Sequence, residues 1–248
     1  MRALAATGIA AGGAAVVAAA IHAAPTIGSF RPLATRLTPG LAGVGRDGHV
    51  ALTFDDGPDR ASTPQILTAL DDLGWKATFF MLGGMTRQDP GMAREVAEAG
   101  HEVAVHGDEH RNMLRRLPRS VAADIARGRE AVAEATGAVP RWFRPPYGLT
   151  PIGGVRAASR LGLTTVLWTA WGYDWAEDAT PKSVVERVTG GRLDGGTILL
   201  HDSDCTSSPE SWRSTLGALP LLAEELAARG LTVGPLADHA VHGAPAAA

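Results

Sequence analysis

The chain has 248 residues, 45% of them hydrophobic, which suits one large α/β domain with a sizeable core. Its net charge is −3 with both signs interspersed, so it carries no basic surface of the kind that binds nucleic acid. A single cysteine, Cys205, excludes an intrachain disulfide and leaves the redox compartment undetermined.

Residues 1–24 differ from everything after them. Met1-Arg2 precedes an uncharged run over residues 3–21, and small residues at Ala20, Ala23 and Ala24 allow a cleavage site. A basic start followed by an apolar stretch is the outline of an export signal. The run also approaches the roughly 20 residues that span a bilayer. Signal peptide and N-terminal membrane anchor are both open, and both place the rest of the chain outside the cytoplasm. Residues 25–47 are rich in Pro, Gly and Arg and read as a linker or wrapping segment. The folded domain is expected over residues 48–240, with a disordered tail over 241–248.

Within that domain, apolar strand patterns at 50–54, 77–82, 102–105, 142–144, 165–169, 197–200 and 231–233 alternate with helical patterns. The helical stretches lie near 63–73, 90–99, 119–136, 151–161, 181–192 and 212–229. Pro90, Pro151 and Pro181 suit a first helical turn, and Gly74, Gly100, Gly137, Gly162 and Gly230 suit a helix end. Regular alternation predicts a parallel sheet. A (β/α) barrel of about seven strands is favoured over an open doubly wound sheet, because no Gly-rich phosphate loop follows the first strand. Asp55, His106, Arg144, Asp174 and His201 also all fall at or just past strand C-termini, where barrel active sites are built.

Each of these positions carries useful chemistry. Asp55-Asp56-Gly57-Pro58 ends the first strand; adjacent side chains on an extended backbone alternate faces, so one carboxylate can hold a metal while the other faces water. His106 and His110 stand at i and i+4, the spacing of two ligands one helical turn apart. With Asp56 they make a His-His-carboxylate site, suited to Zn²⁺ hydrolysis and equally to a non-haem iron oxygenase. Arg144-Pro145-Pro146-Tyr147 is a stiff loop whose prolines lack N–H groups, leaving the Tyr147 amide to point into the cleft. Its arginine can clamp a carboxylate bidentately. His201 ends the 197–200 strand and can serve as a general acid if a carboxylate raises its pKa, with Asp174 the candidate partner. Together these are the parts of a metal-assisted hydrolase.

The five motifs resemble those of the NodB-like polysaccharide deacetylases, carbohydrate esterase family four, over residues 48–236. Thr53 to Pro58, Arg144 to Tyr147 and Leu199 to His201 match three motifs in full. The His-Ser/Thr-x-x-His motif keeps both histidines but has Gly107 for the hydroxyl residue, and Asp-x-x-Asp-Trp keeps Asp174-Trp175 but has Trp171 for its first Asp. The resemblance implies a distorted (β/α) barrel and a divalent metal, Zn²⁺ with Co²⁺ as the alternative, on Asp56, His106 and His110. It implies Asp55 as base, Arg144 as its positioner, and His201 as acid tuned by Asp174. Tyr147, Trp175, Leu199 and Pro145 would contact substrate, Tyr147 through its amide at the oxyanion. The missing hydroxyl at Gly107 would remove a hydrogen bond that steadies the histidine segment. The expected partner is an N-acetylated glycan met by a monomer, with membrane association only through residues 1–24. O-acetyl xylan hydrolysis and a silent glycan-binding relative are the rival readings.

Overall fold

The structure, a computed structural model, describes residues 35–244. The signal or anchor expected at residues 1–24 lies outside them. No helix among the described residues is long and apolar enough to cross a membrane.

Strand β1 (His49–Asp55) is buried along its whole length and organises the sheet. Parallel neighbours are β2 (Thr78–Met81) and β7 (Thr197–His201), and β8 (Thr232–Gly234) pairs with the first three residues of β1. Outward from β2 come β3 (Glu102–Val105), β4 (Trp142–Phe143) and β5 (Thr164–Thr165), while β6 (Ala170–Trp171) flanks β7. The result is an α/β distorted barrel that stays open between β5 and β6. A single strand is expected at 165–169; instead two short strands flank residues 166–169, whose amides divide between neighbours, the Val166 N–H still donating to Phe143 O in β4. The Leu167 N–H donates to Leu41 O and the Thr169 N–H to Thr197 O.

The helices α1 (Thr63–Asp72), α3 (Pro90–Glu98), α4 (Pro118–Thr136), α5 (Ile152–Arg160), α6 (Pro181–Thr189) and α7 (Trp212–Ala228) lie where the periodicity predicts them. Proline opens α3, α4 and α6 at the first turn, where its missing N–H costs nothing, and Gly137 closes α4 in the left-handed conformation. A short α2 (Gly83–Gln88), opening on two glycines, is an addition to the expected elements.

Alternation along the strands divides the core. Val50, Leu52 and Phe54 point outward with Phe79 and Met81 into the layer beneath the helices. Ala51 joins Phe80, Ala104, Trp142 and Val166 inside the barrel. Each buried phenylalanine contributes about 1.5–3 kcal/mol of apolar burial. The same inward phase continues to Thr53, Asp55, Arg144 and His201, so the polar residues of interest cap an inner column whose base is apolar.

The ends of the domain lie beyond the expected boundaries. Residues 40–46 wrap the barrel rather than lead up to it: Ala42 and Val44 are buried, Gly45 N–H donates to Gly195 O, and Thr197 Oγ1 donates to Gly43 O. The expected disordered tail is ordered at its start, because Val241 is buried in the inner cluster and His242 N–H donates to Val44 O. Residues 245–248 lie outside the described residues.

Candidate active site

A cavity of about 230 Å³ opens at the C-terminal ends of the strands, lined by Asp55, Asp56, His106, His110 and His201 with several aromatic rings. β1 and β7 set its frame: Asp55 is the register partner of His201, so base candidate and acid candidate are adjacent across one ladder.

Asp55 and Asp56 both face the cavity, contrary to the alternation expected of an extended pair. The strand ends at Asp55, and Asp56 takes a φ of 78°, which swings its carboxylate to the same side. Asp56 Oδ1 then lies 3.3 Å from His106 Nε2 and 3.4 Å from His110 Nε2. The histidine pair is not on a helix either. It follows β3 in a bend in which Gly107, at φ 89°, turns the chain so that the second ring folds back beside the first, with 5.3 Å between centroids.

The donor set fits a divalent cation. One atom each from Asp56, His106 and His110 lie within 4.8 Å of one another. Asp56 Oδ1 is buried and has no hydrogen-bond partner, a costly condition for a carboxylate oxygen unless a cation meets it. His106 Nδ1 sits 2.8 Å from Arg144 O, the carbonyl contact that fixes a ligating imidazole with Nε2 forward. Burial works against ionising Asp56, but the close approach of the His106 imidazole and the neighbouring His201 and His110 rings hold its carboxyl well below the usual range. Burial, reinforced by neighbouring His106 against the pull of Asp56, lowers the pKa of His110 to about 4, leaving its ring neutral at pH 7.

Arg144 is fully buried behind Asp55. It reaches Asp55 Oδ1 through one nitrogen, Nη1 at 2.7 Å, rather than as the expected two-pronged fork. Nη1 also donates to Thr53 Oγ1, Nη2 donates to Leu167 O at 2.9 Å, and the Phe80 ring lies 4.0 Å from the guanidinium. Breaking such a buried pair from one side costs about 3–5 kcal/mol, so truncating Arg144 damages the fold together with the site.

On the opposite side of the cavity His201 Nδ1 meets Asp174 Oδ1 at 2.9 Å. Asp174 Oδ2 accepts from the His201 N–H and from Thr215 Oγ1, which fixes the carboxylate in place. Burial opposes protonation of His201, but Asp174 outweighs it and, with Asp56 and Asp55, pushes the pKa up to about 10. The Trp175 ring stands edge-on to His201 at 5.3 Å.

Tyr147, at φ 59°, and Leu199 line the cavity, whereas Pro145 is buried and does not. Several residues escaped sequence reasoning. Trp168 and Trp171 add to Trp175 an aromatic wall, with Trp171 5.3 Å from Trp175. Thr206 and Ser207 close the cavity from the loop after β7. Behind the histidine bend, Asp124 Oδ2 accepts from Asp108 N–H and Asp124 Oδ1 from Arg116, while Asp108 is held by Arg87 and Arg127. This ion-pair network braces the segment in which Gly107 lacks a hydroxyl. A Cβ at Gly107 would lie 2.8 Å from Asp124 Oδ2, so the bare glycine and the network go together.

The polysaccharide deacetylase family model matches residues 42–166, half of the chain. The protein belongs to the polysaccharide deacetylase family. The matched stretch ends before Asp174 and His201, which join the site through the fold. Peptidoglycan-N-acetylglucosamine deacetylase PgdA of Listeria monocytogenes is 35% identical over 160 residues, covering 64% of this chain and 34% of that protein. The chain thus spans about a third of that relative's length. A chitooligosaccharide deacetylase of Bradyrhizobium is 33% identical over 195 residues, 75% of this chain and 88% of its own. Among solved structures, the family 4 carbohydrate esterase of Streptomyces lividans in complex with acetate has a TM-score of 0.67 at 37% identity, covering 75% of this chain and 92% of that one.

Proposed function

We propose that this deacetylase-family member is a metal-dependent hydrolase that removes N-acetyl groups from an extracytoplasmic polysaccharide of the peptidoglycan or chitin type. One observation carries the reading: an Asp-His-His ligand set, an arginine-held aspartate and an aspartate-held histidine surround a single cavity.

Asp56, His106 and His110 would hold a divalent cation, Zn²⁺ or Co²⁺, whose Lewis acidity would make water a competent nucleophile near neutral pH. Asp55 takes the proton of that water on Oδ2, the oxygen opposite the one bonded to Arg144. Arg144 keeps the carboxylate turned to the cavity. The Tyr147 amide, preceded by two prolines that have no N–H, donates to the oxyanion that develops on the acetyl carbonyl. His201 gives its Nε2 proton to the departing nitrogen, while Asp174 on Nδ1 stabilises the imidazolium beforehand. Trp175 and Leu199 bound an apolar pocket for the acetyl methyl, and Pro145 acts through the rigidity of its loop. The products are acetate and a free amino sugar.

The names of the Listeria and Bradyrhizobium relatives support an N-acetylated glycan as substrate. The basic-then-apolar start of the sequence supports work outside the cytoplasm. Cell fractionation that finds the full-length chain wholly in the cytosol contradicts that location.

The activity is tested by incubating the purified chain with chitin oligosaccharides, peptidoglycan and acetylated xylan and measuring released acetate. Acetate should come from the N-acetylated glycans, stop on chelation and return with Zn²⁺ or Co²⁺. Release from xylan alone makes the protein an O-esterase; no release from any of the three, with retention of the chain on one of those glycans, makes it a silent glycan binder.

A further inference from the structure

The loop after β7 belongs to none of the five motifs, yet it holds the one carboxylate on which the ligand set converges. Thr206 Oγ1 donates to Asp56 Oδ2 at 2.6 Å, and the neighbouring Cys205 Sγ lies 3.5 Å from Asp56 O. The loop is itself anchored at both ends: Ser62 Oγ donates to Asp202 O at 2.6 Å, and Ser208 N–H donates to Trp175 O at 3.1 Å. Asp56 needs such support. It is a non-glycine residue at φ 78°, its side chain is almost fully buried, and its Oδ1 has no hydrogen-bond partner while facing two imidazole nitrogens.

We propose that Thr206 is a positioning residue that occupies Asp56 Oδ2 with its hydroxyl and so presents Oδ1 alone as the carboxylate ligand between His106 and His110. This rests on the reading of those three residues as a metal site. The physical argument is one of competition. A free carboxylate can rotate about χ2 and offer either oxygen, or both, to a cation. A hydroxyl donating to one oxygen fixes the plane and makes single-oxygen ligation the lower-energy arrangement. Outer partners of this kind orient ligating groups, and their loss commonly costs about 10–100-fold in metal affinity or activity. A threonine that merely pins a surface loop would contribute to stability and leave the metal alone. Thr206 is exposed, so a change there opens no cavity in the core.

The test titrates the purified chain with Co²⁺, whose visible spectrum reports ligand geometry, in wild type, Thr206→Val, Thr206→Ser and Asp56→Asn. Thr206→Val keeps the shape but loses the donor; it should bind Co²⁺ at least about 10-fold more weakly and with an altered spectrum. Thr206→Ser restores a hydroxyl and should recover most of the affinity. Wild-type affinity and spectrum in Thr206→Val overturn the positioning role while Asp56→Asn, by losing the metal, still upholds the ligand set. Equal loss in the Val and Ser variants overturns it too, since the hydroxyl would not be the cause, as does a fall in Tm with unchanged Co²⁺ binding. A wild-type chain that takes up no Co²⁺ overturns the proposal together with the metal site beneath it.

Discussion

His110 and His201 face one cavity from opposite sides, and their surroundings drive them in opposite directions. The Nδ1 of His110 is buried without a hydrogen-bond partner, and burial next to His106 lowers its pKa to about 4. The Nδ1 of His201 is held by Asp174, whose charge overcomes burial and raises the pKa to about 10. At neutral pH the first ring therefore offers a lone pair and the second a proton. A histidine's role here is decided by what its second nitrogen touches and by the sign of the nearest charges. The two aspartates divide by what they touch. Asp55 Oδ1 is bonded to the buried Arg144 guanidinium, with its Oδ2 3.7 Å from His106 Nε2, whereas Asp56 Oδ1 faces the His106 and His110 imidazoles at 3.3 and 3.4 Å.

That division can be broken most severely at the ligand side. Asp56→Asn should empty the metal site and abolish turnover, measured as metal content and acetate release. Asp55→Asn should leave the metal in place and lower kcat by about 10²–10⁴-fold. An empty site in the Asp55 variant with a loaded Asp56 variant would interchange the two roles.

A smaller change sharpens the acid side. A histidine acid works while protonated, so activity falls as pH rises through its pKa. Asp174 raises that pKa, and Asp174→Asn removes the charge, so the alkaline limb of the kcat profile should move to lower pH. An alkaline limb that does not move would separate Asp174 from the tuning of His201.

How much of this was legible in the sequence varied with the distance over which each feature is set. Strand ends and helix spans followed from local apolar spacing and from Pro and Gly, and the residues gathered at the strand ends followed from them. The backbone at Asp56 and Gly107 did not, because a left-handed turn out of a strand carries no periodicity; alternation and helical spacing both misdescribed it. Thr206 lies in a Ser/Thr-rich loop whose contact with Asp56 spans 150 residues of sequence. Trp168 meets Trp171, and Trp171 meets Trp175, across an interruption of the expected strand between β5 and β6. Asp124 left a readable sign, since it falls on the stripe formed by Val121, Ile125, Gly128 and Val132, where an apolar residue is expected.

The most direct test of the split between ligand and acid compares His201→Ala with wild type on two substrates, an N-acetylated chitin oligosaccharide and an activated phenyl acetate. An amine leaves poorly unless protonated, whereas a substituted phenolate leaves unaided. The variant should lose kcat on the amide far more than on the ester, with metal content and KM little changed. Equal loss on both substrates would contradict the account, because His201 would then be supporting the site rather than protonating the leaving group.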